Sequence, residues 1–107
     1  MNDVIIRGGE NIAAAEVESV LEAHPAVRQA VAVGRPDDRL GERVVAFVVM
    51  STPFDLSECR AWFAARGVTK FKWPEEIVPL DAVPTMAAGK PDRAALRERA
   101  RATPPIL

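Results

Sequence analysis

From Val4 to Ile12 the chain reads VIIRGGENI, two short apolar runs on either side of a Gly-Gly pair. Paired glycines take positive φ without a Cβ penalty, so the stretch predicts a tight β-hairpin. The next segment, AAAEVESVLEAH, sets Val17, Val20 and Leu21 on one face and keeps Glu16, Glu18 and Glu22 largely off it. That is helical spacing, and Pro25 ends it. Ala26 to Gly34, AVRQAVAVG, reads as a strand closing in the polar turn RPDDRLGE. RVVAFVVM, Arg43 to Met50, is almost unbroken apolar sequence of strand length, which predicts a central strand buried on both faces.

After STPF, Leu56, Cys59 and Phe63 recur at i, i+3 and i+7 within DLSECRAWFAARG. This spacing predicts an amphipathic helix with Asp55 or Ser57 near its start and Gly67 as its stop. A break at Trp73-Pro74 precedes a short strand from Glu76 to Leu80. DAVPTMAAGK then reads as a loop, and Asp92 to Arg101 as a last helix started by Pro91 and Asp92. Residues 103–107, TPPIL, are expected to fray. No repeat, low-complexity tract or linker interrupts the chain. The order predicts one α+β domain over residues 1–102: a small three-stranded sheet with packed helices, plus an N-terminal β-hairpin.

Composition narrows the functional classes. A length of 107 residues suits one domain, and a formal net charge of −1 provides no global field for nucleic acid. No run approaches the ~18 apolar residues of a membrane span. The start, MNDVIIRGGEN, lacks the basic-then-apolar layout of a secretory signal. One cysteine, Cys59, cannot form an internal disulfide and fits a reducing, cytoplasmic setting. His24 and Cys59 do not make a metal-ligand set of usual spacing, so no metal site is expected. His24 reads as a helix C-terminal residue whose partly protonated ring suits the dipole, and Cys59 as a core residue. Arg93, Arg97, Arg99 and Arg101 read as a solvated helix face.

Two stretches ask for more. IIRGGENI offers a backbone with no side chains at its tip, and AAGK carries a single cation, Lys90, behind a glycine and ahead of a proline. Taken with RGGENIAAAEVES, HPAVRQAVAVGRPDDRLGERVVAFVV and FKWPEEIVPLDAVPTMAAGKPDRAALR, in that order and spacing, the chain resembles a known module. It is similar to the C-terminal domain of the adenylate-forming (AMP-forming) enzymes. That superfamily includes acyl-CoA and aryl-acid synthetases, nonribosomal peptide adenylation domains and luciferases. The resemblance covers about Asn2 to Arg99.

The resemblance implies the following. A carboxylic acid is activated with ATP and Mg²⁺ to an acyl-adenylate, and the acyl group then passes to the thiol of CoA or of a carrier-protein phosphopantetheine. A large N-terminal domain holds ATP, its metal and the acid, and the small domain swings between two poses. Lys90 aligns with the catalytic lysine of the first pose. There an ammonium stabilises the charge shared among the attacking oxygen, the phosphoryl oxygens and the leaving pyrophosphate. In the second pose Gly8, Gly9, Glu10 and Asn11 take its place and line the path of the thiol arm. Phe71 and Lys72 are the retained positions for contact with CoA. The pivot falls at Asn2 and Asp3, with Asn2 replacing the usual Asp or Lys.

Departures bear on the choice of thiol. Ala88 and Pro91 flank the Gly-Lys pair where Thr or Ser and Ile or Val are common. Leu40 stands where CoA-using members often have an aromatic residue. Trp73 and Glu75 stand where some have basic ones; Trp73 is either a stacking surface or core, and Glu75 is expected to repel phosphate. Three readings follow: the domain of an acid–CoA ligase, which is favoured; the same domain in a ligase loading a carrier protein, docked near Arg7, Lys70 or Lys72; or a stand-alone interaction module. These residues contain no phosphate loop or acid pocket. The chain is therefore expected to be a piece of a longer synthetase, starting at its hinge and inactive alone.

Overall fold

The structure is a computed structural model that describes residues 3–102. Asn2, half of the expected pivot, and the tail 103–107 lie outside the described residues. The elements run β1 (Val4–Arg7), β2 (Glu10–Ala13), α1 (Ala14–Glu22), β3 (Val27–Asp37), β4 (Gly41–Met50), α2 (Leu56–Ala65), β5 (Glu76–Leu80) and α3 (Arg93–Ala102), with a 3₁₀ turn at Lys70–Lys72. This is the predicted α+β order.

β4 is the axis of the sheet. Val44, Val45, Ala46, Phe47 and Val48 are all at most 1% exposed, as expected of a strand covered on both faces. Alternation divides them between two cores. Val44, Ala46 and Val48 join Val17 and Leu21 of α1 and Cys59 and Phe63 of α2. Val45 and Phe47 join Val83 and, from α3, Leu96 and Ala100. β3 pairs antiparallel with β4 along its length, from Val27↔Met50 to Asp37↔Gly41. β5 pairs parallel with the other side, from Val45↔Glu76 to Val49↔Leu80. As an outer strand β5 tolerates Pro79, which has no N–H to give to a further neighbour.

The three strands β3, β4 and β5 form the predicted sheet. The hairpin extends it, because Arg7 pairs with Gly41 at the start of β4 and yields one sheet of five strands. The polar turn is also shorter than its composition suggests. β3 and β4 stay paired through Arg35↔Arg43 and Pro36↔Glu42. Polar residues persist in these strands because partners await them: buried Arg35 places its guanidinium 2.9 Å from Glu76. Asp37 closes the turn by accepting the backbone N–H groups of Arg39 and Leu40, each at 2.9 Å. Those bonds, the Leu40 one foremost, hold its carboxyl below the usual range.

β3 is an edge strand, and α1 masks its free edge. The Ala30 N–H donates to the Glu22 carboxylate at 3.1 Å, and the Ala32 N–H to Glu18 at 2.9 Å. Arg93 donates to the Ala32 carbonyl at 3.3 Å. Side chains thus take bonds that another strand would otherwise seek. Two expectations are refined here. His24 ends α1 through packing and a backbone contact: its Nδ1 accepts the Ala26 N–H at 3.0 Å, and the ring packs against Phe54 and Trp62. Of the α3 arginines, Arg97, Arg99 and Arg101 are exposed as expected, and Arg93 is the exception: it is half-buried and pairs with Asp3, which Arg97 also meets.

Removing the edge mask should be measurable. Glu18→Ala removes one of the two carboxylates that pair with Arg93 and leaves the Ala32 N–H without its acceptor, and is expected to cost about 2–3 kcal/mol, against about 1 kcal/mol for Glu22→Ala. Urea unfolding of both variants, at unchanged slope, checks the order and the size of the two losses.

Candidate functional site

Lys90 sits at the end of a miniature hairpin. The Gly89 N–H donates to the Met86 carbonyl at 2.8 Å, and the Met86 N–H donates to the Lys90 carbonyl at 2.8 Å. This is a three-residue loop, Ala87-Ala88-Gly89, in which the last residue bulges in the left-handed region; Gly89 has φ +82°. Thr85 bridges to Pro91 below the loop, and the Asp92 N–H donates to the Pro84 carbonyl at 2.8 Å. Asp92 then caps α3 by accepting the Ala95 N–H at 3.0 Å. Lys90 is exposed, and among the described residues its ammonium makes no hydrogen bond or ion pair.

The helix behind Lys90 is tied down by charge. The Arg93 guanidinium lies 2.7 Å from Glu18 of α1 and 2.9 Å from Asp3. The hydrogen bond it donates to the Glu18 carboxylate is the largest cause that raises the Arg93 pKa. Asp3 also meets Arg97 at 3.1 Å, and its carbonyl accepts the Ala14 N–H at 3.0 Å. Asp3, the described member of the expected pivot, is therefore bonded to α3.

The Gly8-Gly9 turn has φ +57° and +83°, the double left-handed geometry of a two-residue hairpin loop. A Cβ on either glycine would meet no heavy atom within 4 Å, so backbone conformation alone demands glycine within this chain. Glu10 and Asn11, on β2, are exposed beside it. One side of the turn is fixed to the sheet, because the Gly8 N–H donates to the Leu40 carbonyl at 2.7 Å.

Next to the hairpin base lies a cleft of about 420 Å³ lined by Arg7, Arg43, Arg60, Lys70, Phe71, Trp73, Pro74 and Glu75. Four cations face one carboxylate there. Glu75 is occupied: it lies 2.7 Å from the Arg7 Nε and 3.3 Å from the Arg43 Nε. Its N–H donates to the Val44 carbonyl at 2.8 Å, and its carboxylate accepts the Val44 N–H at 3.4 Å. The two arginines offset the negative charge expected to repel phosphate. Phe71 lines the cleft, whereas Lys72 turns away to Glu16 of α1 at 3.0 Å. Trp73 lines the cleft, packs on the core and donates to the Val68 carbonyl at 2.8 Å. Arg43 and Arg60 were not singled out from the sequence. They lie on different elements, and only the fold brings them together.

The family described as AMP-binding enzyme C-terminal domain matches residues 16–90. The chain belongs to that family. Medium-chain fatty-acid–CoA ligase of Escherichia coli K12 is 42% identical over 99 residues, 90% of this chain and 18% of that protein. The salicyl-AMP ligase / salicyl-S-ArCP synthetase of Mycobacterium tuberculosis H37Rv is 43% identical over 108 aligned positions, 99% of this chain and 19% of that protein. Apo MbtA of Mycobacterium smegmatis superposes with a TM-score of 0.88 at 42% identity, covering 92% of this chain and 19% of that one. The chain spans about a fifth of the length of these relatives. It is a C-terminal domain of the AMP-forming ligases, similar both to a CoA ligase and to a carrier-protein ligase.

Among the described residues, no group of three or more His, Cys, Asp or Glu is placed to hold a metal, and no helix is long and apolar enough to cross a membrane. Cys59 is fully buried, and that burial pushes its thiol from an ordinary 9.0 up to about 12. Folding therefore favours the neutral thiol. Its contribution to stability is complete below about pH 9 and is lost as pH rises toward 12. Native protein at pH 8 should react with Ellman's reagent at least tenfold more slowly than protein in urea, which a single absorbance time course at each condition checks.

Proposed function

We propose that this chain is the mobile C-terminal domain, residues 1–102, of an ATP-dependent, AMP-forming acid–thiol ligase, and that Lys90 serves its adenylation step. The observation that carries this reading is the exposed ammonium of Lys90, which has no partner among the described residues and stands at the end of a closed three-residue loop. In adenylation a carboxylate oxygen bonds to the α-phosphorus while the bond to the bridging oxygen breaks and pyrophosphate leaves. The Lys90 ammonium meets the negative charge gathered on those oxygens and lowers the barrier more than it stabilises the separated reactants. ATP and the acid lie on the N-terminal domain in this reading, with Mg²⁺ on the phosphates.

For the thioester step the Gly8-Gly9 turn, with Glu10 and Asn11, borders the thiol arm. Support comes from the open space around both glycines, which leaves the backbone accessible. The pivot lies at Asn2 and Asp3. CoA is the favoured thiol, because the cleft beside the hairpin combines the Phe71 ring with four cations and holds its one carboxylate in ion pairs. A carrier-protein phosphopantetheine is the second reading, favoured by 43% identity to a salicyl-S-ArCP synthetase across 99% of the chain. In the intact ligase, Arg43→Glu with Arg60→Glu is expected to weaken use of CoA if the first reading holds. If a carrier is the acceptor, thioester formation is expected only when phosphopantetheinylated carrier protein replaces CoA.

Lys90→Ala in the intact ligase is expected to slow adenylation by at least ~10²-fold, roughly 3 kcal/mol, while sparing thioester formation from a supplied acyl-adenylate. Pyrophosphate release and thiol consumption, followed separately, check the two halves. Equal loss in both would remove the division of labour.

A further inference from the structure

We infer that Arg93 is a positioning residue for Lys90, joining the lysine loop to the segment at the pivot so that both move together. An arginine in the first turn of a helix opposes the helix dipole, so this one needs another reason to be there. Its contacts supply one. The guanidinium reaches Glu18 on α1 at 2.7 Å, Asp3 ahead of β1 at 2.9 Å and the Ala32 carbonyl on β3 at 3.3 Å. With its side chain only about a quarter exposed, it is better shielded from water than a surface pair. Only Pro91 and Asp92 separate it from Lys90, and the stem there is already closed by the Asp92–Pro84 bond at 2.8 Å. The start of α3 therefore has little freedom to tilt, and neither does the loop it carries.

The Asp3 arm gives the arrangement its direction. Asp3 is held by two arginines one turn apart, Arg93 and Arg97, and its backbone is bonded to α1 through Ala14. A rotation that begins at the chain segment containing Asp3 is passed to α3 through these pairs rather than absorbed between them. The inference rests on the adenylation role proposed for Lys90, but its structural half stands or falls without that role.

The test uses Arg93→Gln. In the 107-residue chain, ¹⁵N relaxation at Gly89 and Lys90 should show the amide order parameters falling from about 0.85 to below about 0.6, while β4 amides keep their values. In the intact ligase the same variant should lose adenylation at least tenfold and keep its rate of thioester formation from a supplied acyl-adenylate. A purely structural arginine would lower both rates together. If Arg93→Gln does not fold, Asp3→Asn and Arg97→Gln, which cut one arm each, should give smaller losses in the same pattern. A folded variant with an ordered Lys90 amide, or an equal fall in both half-reactions, overturns the inference. Should Lys90→Ala itself leave adenylation intact, the proposed lysine role fails, while the relaxation result still decides the link to Arg93.

Discussion

A strand with apolar side chains on both faces has to be covered twice, and β4 is such a strand. Val44, Ala46 and Val48 demand one layer, and Val45 and Phe47 demand another. α1 and α2 answer the first demand and α3 the second. The requirement places α3, and with it the loop ahead of its N-terminus, on the opposite side of the sheet from the other two helices. It also leaves the two long edges of β4 to different neighbours. β3 takes one of them entirely, while the hairpin and β5 share the other, with Glu75 and its two arginines at the point where they meet. The cleft forms at that junction.

The charges follow a similar division. Carboxylates on α1 are spent inside the molecule, Glu18 and Glu22 on the backbone of β3 and Glu16 on Lys72. Cations near the hairpin are less fully balanced, with Arg7, Arg43, Arg60 and Lys70 gathered around one carboxylate. A chain of net charge −1 therefore presents a locally positive hollow. Net charge describes long-range attraction, but the arrangement around a pocket decides which ligands are accepted at close range.

Local sequence was enough for much of this architecture. The Gly-Gly pair specified its turn because only positive φ closes a two-residue loop, and the apolar run of β4 identified its two-sided burial. Gly67 ended α2, and the Ala-Ala-Gly-Lys segment drew attention to Lys90. The remainder depends on partners far apart in the chain. Nothing near Glu75 revealed that Arg7, 68 residues earlier, would neutralise it. Arg93 looked like a surface charge because Glu18, 75 residues away, could not be seen beside it. The end of β3 is hidden for the same reason, since Arg35 within a strand is offset by Glu76, 41 residues later. Periodicity reports which face is apolar; it does not report which ions will find one another.

The bulged loop at residues 86–90 carries a kinetic consequence. Its backbone is already closed on itself, so seating it against a neighbouring domain requires little loss of chain entropy. The four-carbon stem of the lysine still supplies reach, and its rotamers exchange on a picosecond-to-nanosecond scale. Under the proposed role, final adjustment of the amine would be far faster than any swing of the domain, whose motion would then govern the timing of the cycle.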